Sequence, residues 1–587
     1  MILKQRATLL LSIMLLSNIT HIANCADSVS LDATAFLSKI EVAPSLKNIS
    51  DVVYAEERNI AKDLQISEIV KYFDCQTLAG ASFLEAALRL PVNSKSVHQI
   101  VAKRQAIISA LVNNPEFKAE VDALVTELEL LQNKLLELYS DKFRFTSCPE
   151  EKLLNSLKSE NKNLKYRYKS FMTKTPVGRT IDNFIDAGLT YFCGKLTWGF
   201  GKVNYAFFQQ YNQQTDPNVK KKMLVSASMI LAANGYFAYQ TAKCASGLVK
   251  EYQLAASKRD LIFALSKVVR IAERMEKICA EQGVTADFKI SAIQDEPSLT
   301  LIKKLKSGFY TKKEESVFVP SLVHAFLYDI YEKESCLPQI FACVAEMDAY
   351  NAIATKMLNT QGLKNSFCFA TFIDSTKSEI KAVNFWNVLV GEQKAIANTL
   401  HETRNIIFSG VNAGGKTTGT RSILQNIVLA QTFGVAAATE FALTPFDIIH
   451  SYLNVSDDLI GGSSLFVSEV KRAQEIKEKI RAIAGTDLKY FFALDELFTG
   501  TGADAGENCA CGFVDAISNA PEIMFIYPTH FDKLKELGES HDFCVNYKVD
   551  SAITLKDGKL VYPFTISNGA SYDNIALQIA QNANLFN

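Results

Sequence analysis

The chain has 587 residues and a mass of 65.0 kDa, which is too long for one compact domain. Its hydrophobic content of 48% and charged content of 21% exclude global disorder, and 62 Lys and Arg against 63 Asp and Glu exclude a generally basic surface. Binding to nucleic acid would therefore need a local basic patch. The 12 cysteines form no CxxC pair, so zinc-ligand spacing is absent and the thiols read as reduced and mostly buried.

The first 26 residues place Lys4 and Arg6 before an apolar run from Ala7 to about Ile19, the shape of a secretory signal. "IANC", ending at Cys25, approaches a lipoprotein cleavage box, although Asn24 stands where a small residue is usual. An uncleaved membrane anchor and a buried helix are the alternatives. An uncleaved anchor with the body on the cytoplasmic face is the expected location. A secreted protein and a lipoprotein remain open.

From Ser28 the pattern is helical. Ile66 to Leu90, Val97 to Val112 and Pro115 to Ser140 carry apolar residues at i, i+3 and i+4, and Asn114-Pro115 marks a helix start. The composition shifts between about residues 180 and 257. Phe184 to Tyr211 is aromatic and Gly-rich, and Leu224 to Ala242 has no charged residue over 19 positions. These runs read either as a membrane hairpin or as a soluble helical core. Lys162 to Arg179, "KNLKYRYKSFMTKTPVGR", reads as a phosphate-tracking stretch, a solvated helix face or a basic membrane flank. Long helices resume from about Lys258 to Asn359.

After Gln361 short β-rich runs ("FCFATFI", "NIIFSG", "YFFALDE", "IMFIYPTH") alternate with helical ones, as in an α/β domain with a mostly parallel sheet. Gly410-Val411-Asn412-Ala413-Gly414-Gly415-Lys416-Thr417 fits G-x-x-x-x-G-K-[ST], between the strand-like Asn405 to Phe408 and the helical Thr418 to Ala430. Such a loop turns backbone N–H groups and a helix N-terminus toward phosphate. Lys416 would reach the β- and γ-phosphates of ATP, and Thr417 would ligate Mg²⁺. Asp495 and Glu496 end a buried-strand run. Asp495 suits a water-mediated Mg²⁺ contact, and Glu496 suits polarising the attacking water. His530, after the run Ile523 to Tyr527, is a candidate γ-phosphate sensor.

In order along the chain, these segments resemble the MutS family of ABC-type ATPases. "GVNAGGKTT" is similar to that family's G-P-N-M-G-G-K-S-T, and "DDLIGGSSLFVSEV" (Asp457 to Val470) to its D-D-L-x-x-G-x-S-T-F-x-x-E. "DELFTGTGADAG" is similar to D-E-x-x-x-G-T-x-x-x-D-G, and "PTHFDKL" to A-T-H-[FY]-x-x-L. "AIANTL" (Ala395 to Leu400) sits where the family has a P-N-D strand, and "TISNGASYDNIALQIAQNANL" resembles its closing segment. In the helical half, Phe73 to Phe117 resembles the start of the family's core domain, and Ala345 to Ala354 the helix returning from its levers.

The resemblance implies a fold of α plus α/β type. A helical core and lever domain over residues 27–360, with the apolar insert at 180–257, precedes a P-loop ATPase domain over residues 361–587. It implies ATP held by residues 410–418 including Thr418, Mg²⁺ at Thr417 and Asp495, and catalysis by Lys416, Glu496 and His530. It also implies a homodimer in which Ser464 reaches the partner's nucleotide, and DNA as the target. The core pattern begins near residue 50, leaving no room for mismatch-reading and connector domains, so DNA structure rather than single mismatches is the expected ligand. Leu465, Thr499 and Pro528 stand where the family has Thr, Arg and Ala, which puts its turnover in question. A membrane-anchored clamp without DNA, in contact through the N-terminal run and residues 224–242, is the alternative. An ATP-binding scaffold with little turnover is a third reading.

Overall fold

The computed structural model describes residues 57–139, 259–307, 337–453 without 412–413, and 465–572 without 551–553 and 557–558. It also describes the short pieces 28–29 and 145–146 and scattered positions between 209 and 242. The N-terminal run, most of residues 224–242 and the stretch Lys162 to Arg179 lie outside the described residues. Among the described residues no helix is long and apolar enough to cross a membrane.

The chain forms two compact units. One comprises Met1–Phe36, Leu130–Arg270 and Gln294–Leu337, and the other Leu37–Glu129, Ile271–Ile293 and Pro338–Asn587. In the first unit β1 (Ser28–Val29) pairs antiparallel with β2 (Phe145–Thr146), so the first half is not wholly helical as expected. In the same unit the buried Ser266 hydroxyl donates to the carbonyl of Leu305 at 2.7 Å.

The second unit opens with helices α1 (Glu57–Leu64), α2 (Ile66–Phe73), α3 (Leu78–Arg89) and α4 (Ser94–Asn113). The stretch read as one helix from Ile66 to Leu90 is two. Asp74 turns left-handed at φ 60°, and Thr77 starts the next helix by accepting the Gly80 N–H. Asn93 caps α4 by accepting from Ser96. The next helix, α5 (Pro115–Tyr139), starts at the expected Asn114-Pro115, where the Asn114 side chain accepts from Glu116 and Phe117. In the first unit α6 spans Glu296–Lys306; α7 (Leu337–Thr360) then leads to the sheets.

Two sheets follow. The first holds β6 (Asn405–Ser409), β9 (Ile448–Tyr452), β10 (Tyr490–Leu494), β11 (Ile523–Thr529), β12 (Cys544–Val549) and β15 (Ile566–Asn568), in the order β15-β12-β6-β11-β10-β9. All its pairings are parallel except β12 with β15. Every residue of β6, β10 and β11 is buried, as expected for strands covered on both faces. On one face α9 (Leu465–Ile483) packs through Ala473, Ile476, Ile480 and Ile483, and α10 (Ala503–Ser518) through Ala510, Phe513, Val514 and Ile517. Both sets follow the helical period.

The second sheet is mixed, in the order β5-β4-β8-β3-β7, and contains β3 (Cys368–Phe372), β4 (Ile380–Phe385), β5 (Asn398–Glu402), β7 (Val435–Ala436) and β8 (Glu440–Leu443). Only β3 with β8 is parallel in it. "FCFATFI" therefore belongs to this mixed sheet and not to the parallel one. A hairpin, β13 (Thr554–Lys556) with β14 (Lys559–Val561), lies between β12 and β15.

The helix after the glycine-rich loop, α8 (Lys416–Phe433), is buried on all sides from Ser422 to Phe433. Several of its polar side chains replace water with backbone partners there, whereas both amide atoms of the buried Gln425 have no hydrogen-bond partner. Asn426 donates to Trp386 O and accepts from Ala437 N, and Gln431 donates to both Val92 O and Phe446 O.

Candidate nucleotide site

Adjacent parallel strands β6, β11 and β10 end together, and the site residues leave from their carboxyl ends. Residues 410–415 follow β6, Asp495 and Glu496 follow β10, and His530 follows β11. Ligands of open α/β sheets bind at this edge. Gly415 caps α8 at φ 105°, a value costly for any residue with a Cβ.

The side chains converge. Lys416, almost wholly buried, donates from Nζ to the Gly410 carbonyl at 3.0 Å and lies 2.7 Å from His530 Nε2. Glu496 Oε1 is 2.8 Å from the same His530 nitrogen and 3.4 Å from Lys416 Nζ. The Thr417 hydroxyl donates to Asp495 at 3.2 Å. Val411 is buried, and the Thr418 carbonyl accepts from Ser422 within α8. Asn412, Ala413 and Ser464 lie outside the described residues.

The two acids are tuned apart. Burial, with the neighbouring Glu496 charge, pushes Asp495 up to about 6. The hydrogen bond from His530, followed by the His530 and Lys416 charges, holds Glu496 below its ordinary value against the pull of burial. Burial lowers Lys416, and the two carboxylates oppose that shift. The result is a carboxylate kept charged beside one eased toward its neutral form.

The turn after β10 is strained. Glu496 and Phe498 sit at φ 42° and 73°, the left-handed region that costs roughly 1–2 kcal/mol for a residue with a Cβ. It is pinned from β11, where the Pro528 carbonyl accepts the Glu496 N–H at 3.3 Å and the Tyr527 hydroxyl donates to the Leu497 carbonyl at 2.8 Å.

Sequence reasoning missed Phe564. Its ring lies against Gly415, with Cδ1 2.9 Å from where a Cβ would stand, and the side chain is 43% exposed. Its carbonyl accepts from Asn398, and its own φ is 53°. The available signal was an aromatic residue immediately before "TISNGASYDN", next to the segment already singled out as closing the domain.

Residues 406–587 match the family model described as MutS domain V. In this stretch the chain is similar to the MutS family. The DNA mismatch repair protein MutS of Streptococcus agalactiae serotype Ia is 25% identical over 256 residues, which is 42% of this chain and 28% of that protein. The MutS of Streptococcus mutans is 27% identical over the same shares. That of Bacillus cereus (strain ATCC 14579) is 26% identical over 317 residues, 52% of this chain and 32% of the relative. The chain thus spans about a third or less of the length of these MutS proteins.

Proposed function

We propose that this MutS-family chain is an ATPase of mismatch-repair type that binds DNA, closing as a homodimer on ATP and resetting on hydrolysis. The convergence of Lys416, Thr417, Asp495, Glu496 and His530 at one sheet edge carries the reading. In it, the loop from Gly410 to Thr418 wraps the triphosphate, and Lys416 exchanges its contacts with Gly410, His530 and Glu496 for the β- and γ-phosphates. Thr417 and Asp495, already within hydrogen-bond distance, fit as the holders of Mg²⁺, with water between the ion and Asp495. The ion supplies charge neutralisation on the phosphate oxygens. Glu496, kept ionised, accepts the proton of the attacking water, and His530 orients it. Phe564 offers the nucleotide base a flat apolar face. Ser464 reaches the partner's γ-phosphate, because the loop alone leaves one side of the triphosphate open to water.

The domain reading that goes with this function keeps residues 27–360 as the core and levers, with the insert at 180–257, and residues 361–587 as the ATPase. Residues 1–26 act as signal or anchor. DNA is proposed as the ligand because the relatives are named for DNA mismatch repair. The test is binding of the purified protein to homoduplex, mismatched and branched DNA with ATP and Mg²⁺ across a salt series. Nucleotide-dependent binding that weakens steeply with salt is expected, with branched DNA preferred. Absence of binding at low salt, alongside intact ATP hydrolysis, sinks the DNA part of the reading.

A further inference from the structure

We propose that Glu469 is a positioning residue for hydrolysis, through which the first turns of α9 hold the strained turn that presents Glu496. The inference rests on the ATPase reading above. Glu469 lies on the second turn of α9 and is 1% exposed. Its carboxylate crosses to the turn after β10. Oε1 accepts the Thr499 N–H at 3.1 Å and the Thr499 hydroxyl at 3.3 Å, and Oε2 accepts the Gly500 N–H at 3.0 Å. A buried carboxylate with both oxygens engaged by one loop fixes that loop in place as well as in orientation.

The contact is also close in backbone terms. A Cβ on Gly500 would stand 2.6 Å from the backbone nitrogen of Phe466, so the loop rests directly on the first turn of α9. Left-handed residues persist in a turn only where the surroundings hold them. Here β11 holds the near side through Pro528 and Tyr527, and Glu469 holds the far side. Thr499 accordingly supplies two of the three donors that meet Glu469. Because α9 begins at Leu465, directly after Ser464, any shift of that helix's first turn reaches Thr499 and Gly500, and through them Glu496.

The test compares full-length wild type, Glu469→Gln, Glu496→Gln and the double variant. Rate of ATP hydrolysis, ADP affinity, melting temperature and amide exchange of peptides covering 496–500 are measured. Misplacing a catalytic group by about an ångström costs roughly 100-fold, so kcat of Glu469→Gln should fall by roughly 10- to 100-fold. ADP affinity should hold, exchange at 496–500 should rise, and the double variant should be no slower than Glu496→Gln alone. A wild-type rate in Glu469→Gln, or losses that multiply in the double variant, overturns the proposal. Should Glu469→Gln fail to fold, Thr499→Val removes only the hydroxyl bond. A lower kcat with unchanged melting supports the proposal, and an unchanged kcat overturns it. A Glu496→Gln rate equal to wild type sinks the hydrolysis reading instead, and the clamp is then judged by exchange at 496–500 alone.

Discussion

On the proposed function, Asp495 is the residue at which stability and function pull against each other. Its carboxyl is raised from 3.8 to about 6 by burial first and by Glu496 second. The fold therefore favours its neutral form, and stability is lost as pH rises from 3.8 to about 6. Asp495→Asn should raise the melting temperature at pH 7.5 without nucleotide, and should have no such effect below about pH 4, while abolishing Mg²⁺-dependent turnover. Protons should also compete with Mg²⁺ at this oxygen pair. Apparent Mg²⁺ affinity, followed by titration, should drop about tenfold per pH unit below about 6. Phe564 makes a separate claim. Stacking on a base is worth roughly 1–3 kcal/mol, so Phe564→Ala should weaken ATP binding about tenfold or more and leave the saturated rate near wild type.

Helices and strands differed in how far the chain announced them. The strand–loop–helix around residues 410–415, the strand that ends before Asp495-Glu496 and the start at Asn114-Pro115 were legible because each depends on residues adjacent in sequence. The break at Asp74 was hidden, because the apolar spacing runs on either side of a single left-handed residue. The mixed sheet was hidden for another reason. β3 is flanked by β7 and β8, strands more than sixty residues later, and such pairing leaves no local mark. The tie from Glu469 to Thr499 and Gly500 crosses thirty residues and was equally invisible. Arg104 is a third case, since a basic residue on a helix reads as solvated. It is 1% exposed, donating to Asp287 at 3.0 Å and to the Thr432 carbonyl at the end of α8 at 2.8 Å. Asp287 N–H in turn donates to the buried Glu346 of α7. Arg104→Met leaves Asp287 and that carbonyl without their donor, and should cost about 3–5 kcal/mol in a denaturant melt.

For the molecule as a whole, the composite-site reading predicts that association depends on nucleotide. Glu496→Gln, which on the proposed function binds ATP but turns it over slowly, should run as a dimer by light scattering with ATP and Mg²⁺, and as a monomer without nucleotide. Lys416→Ala should stay monomeric in both conditions. A dimer indifferent to nucleotide would set this reading aside.

Residues from the first quarter of the chain complete the sheet-bearing unit. Asp63 accepts from the Ser451 hydroxyl and the Leu453 N–H, and its own carbonyl accepts from Arg421. Val92 exchanges hydrogen bonds with Gln431 through both backbone groups, and Gln105 caps the Gly434 and Ala370 carbonyls. A fragment beginning at residue 361 would strip partners from buried polar groups on α8, β9 and the turn after α8. Modularity is thus uneven here. The candidate-site segments are contiguous enough to be found by pattern matching, yet the compact unit that holds them includes helices encoded some three hundred residues upstream. Limited proteolysis should release a stable species that retains α1 to α4 beside the sheets, and a cloned 361–587 fragment should aggregate.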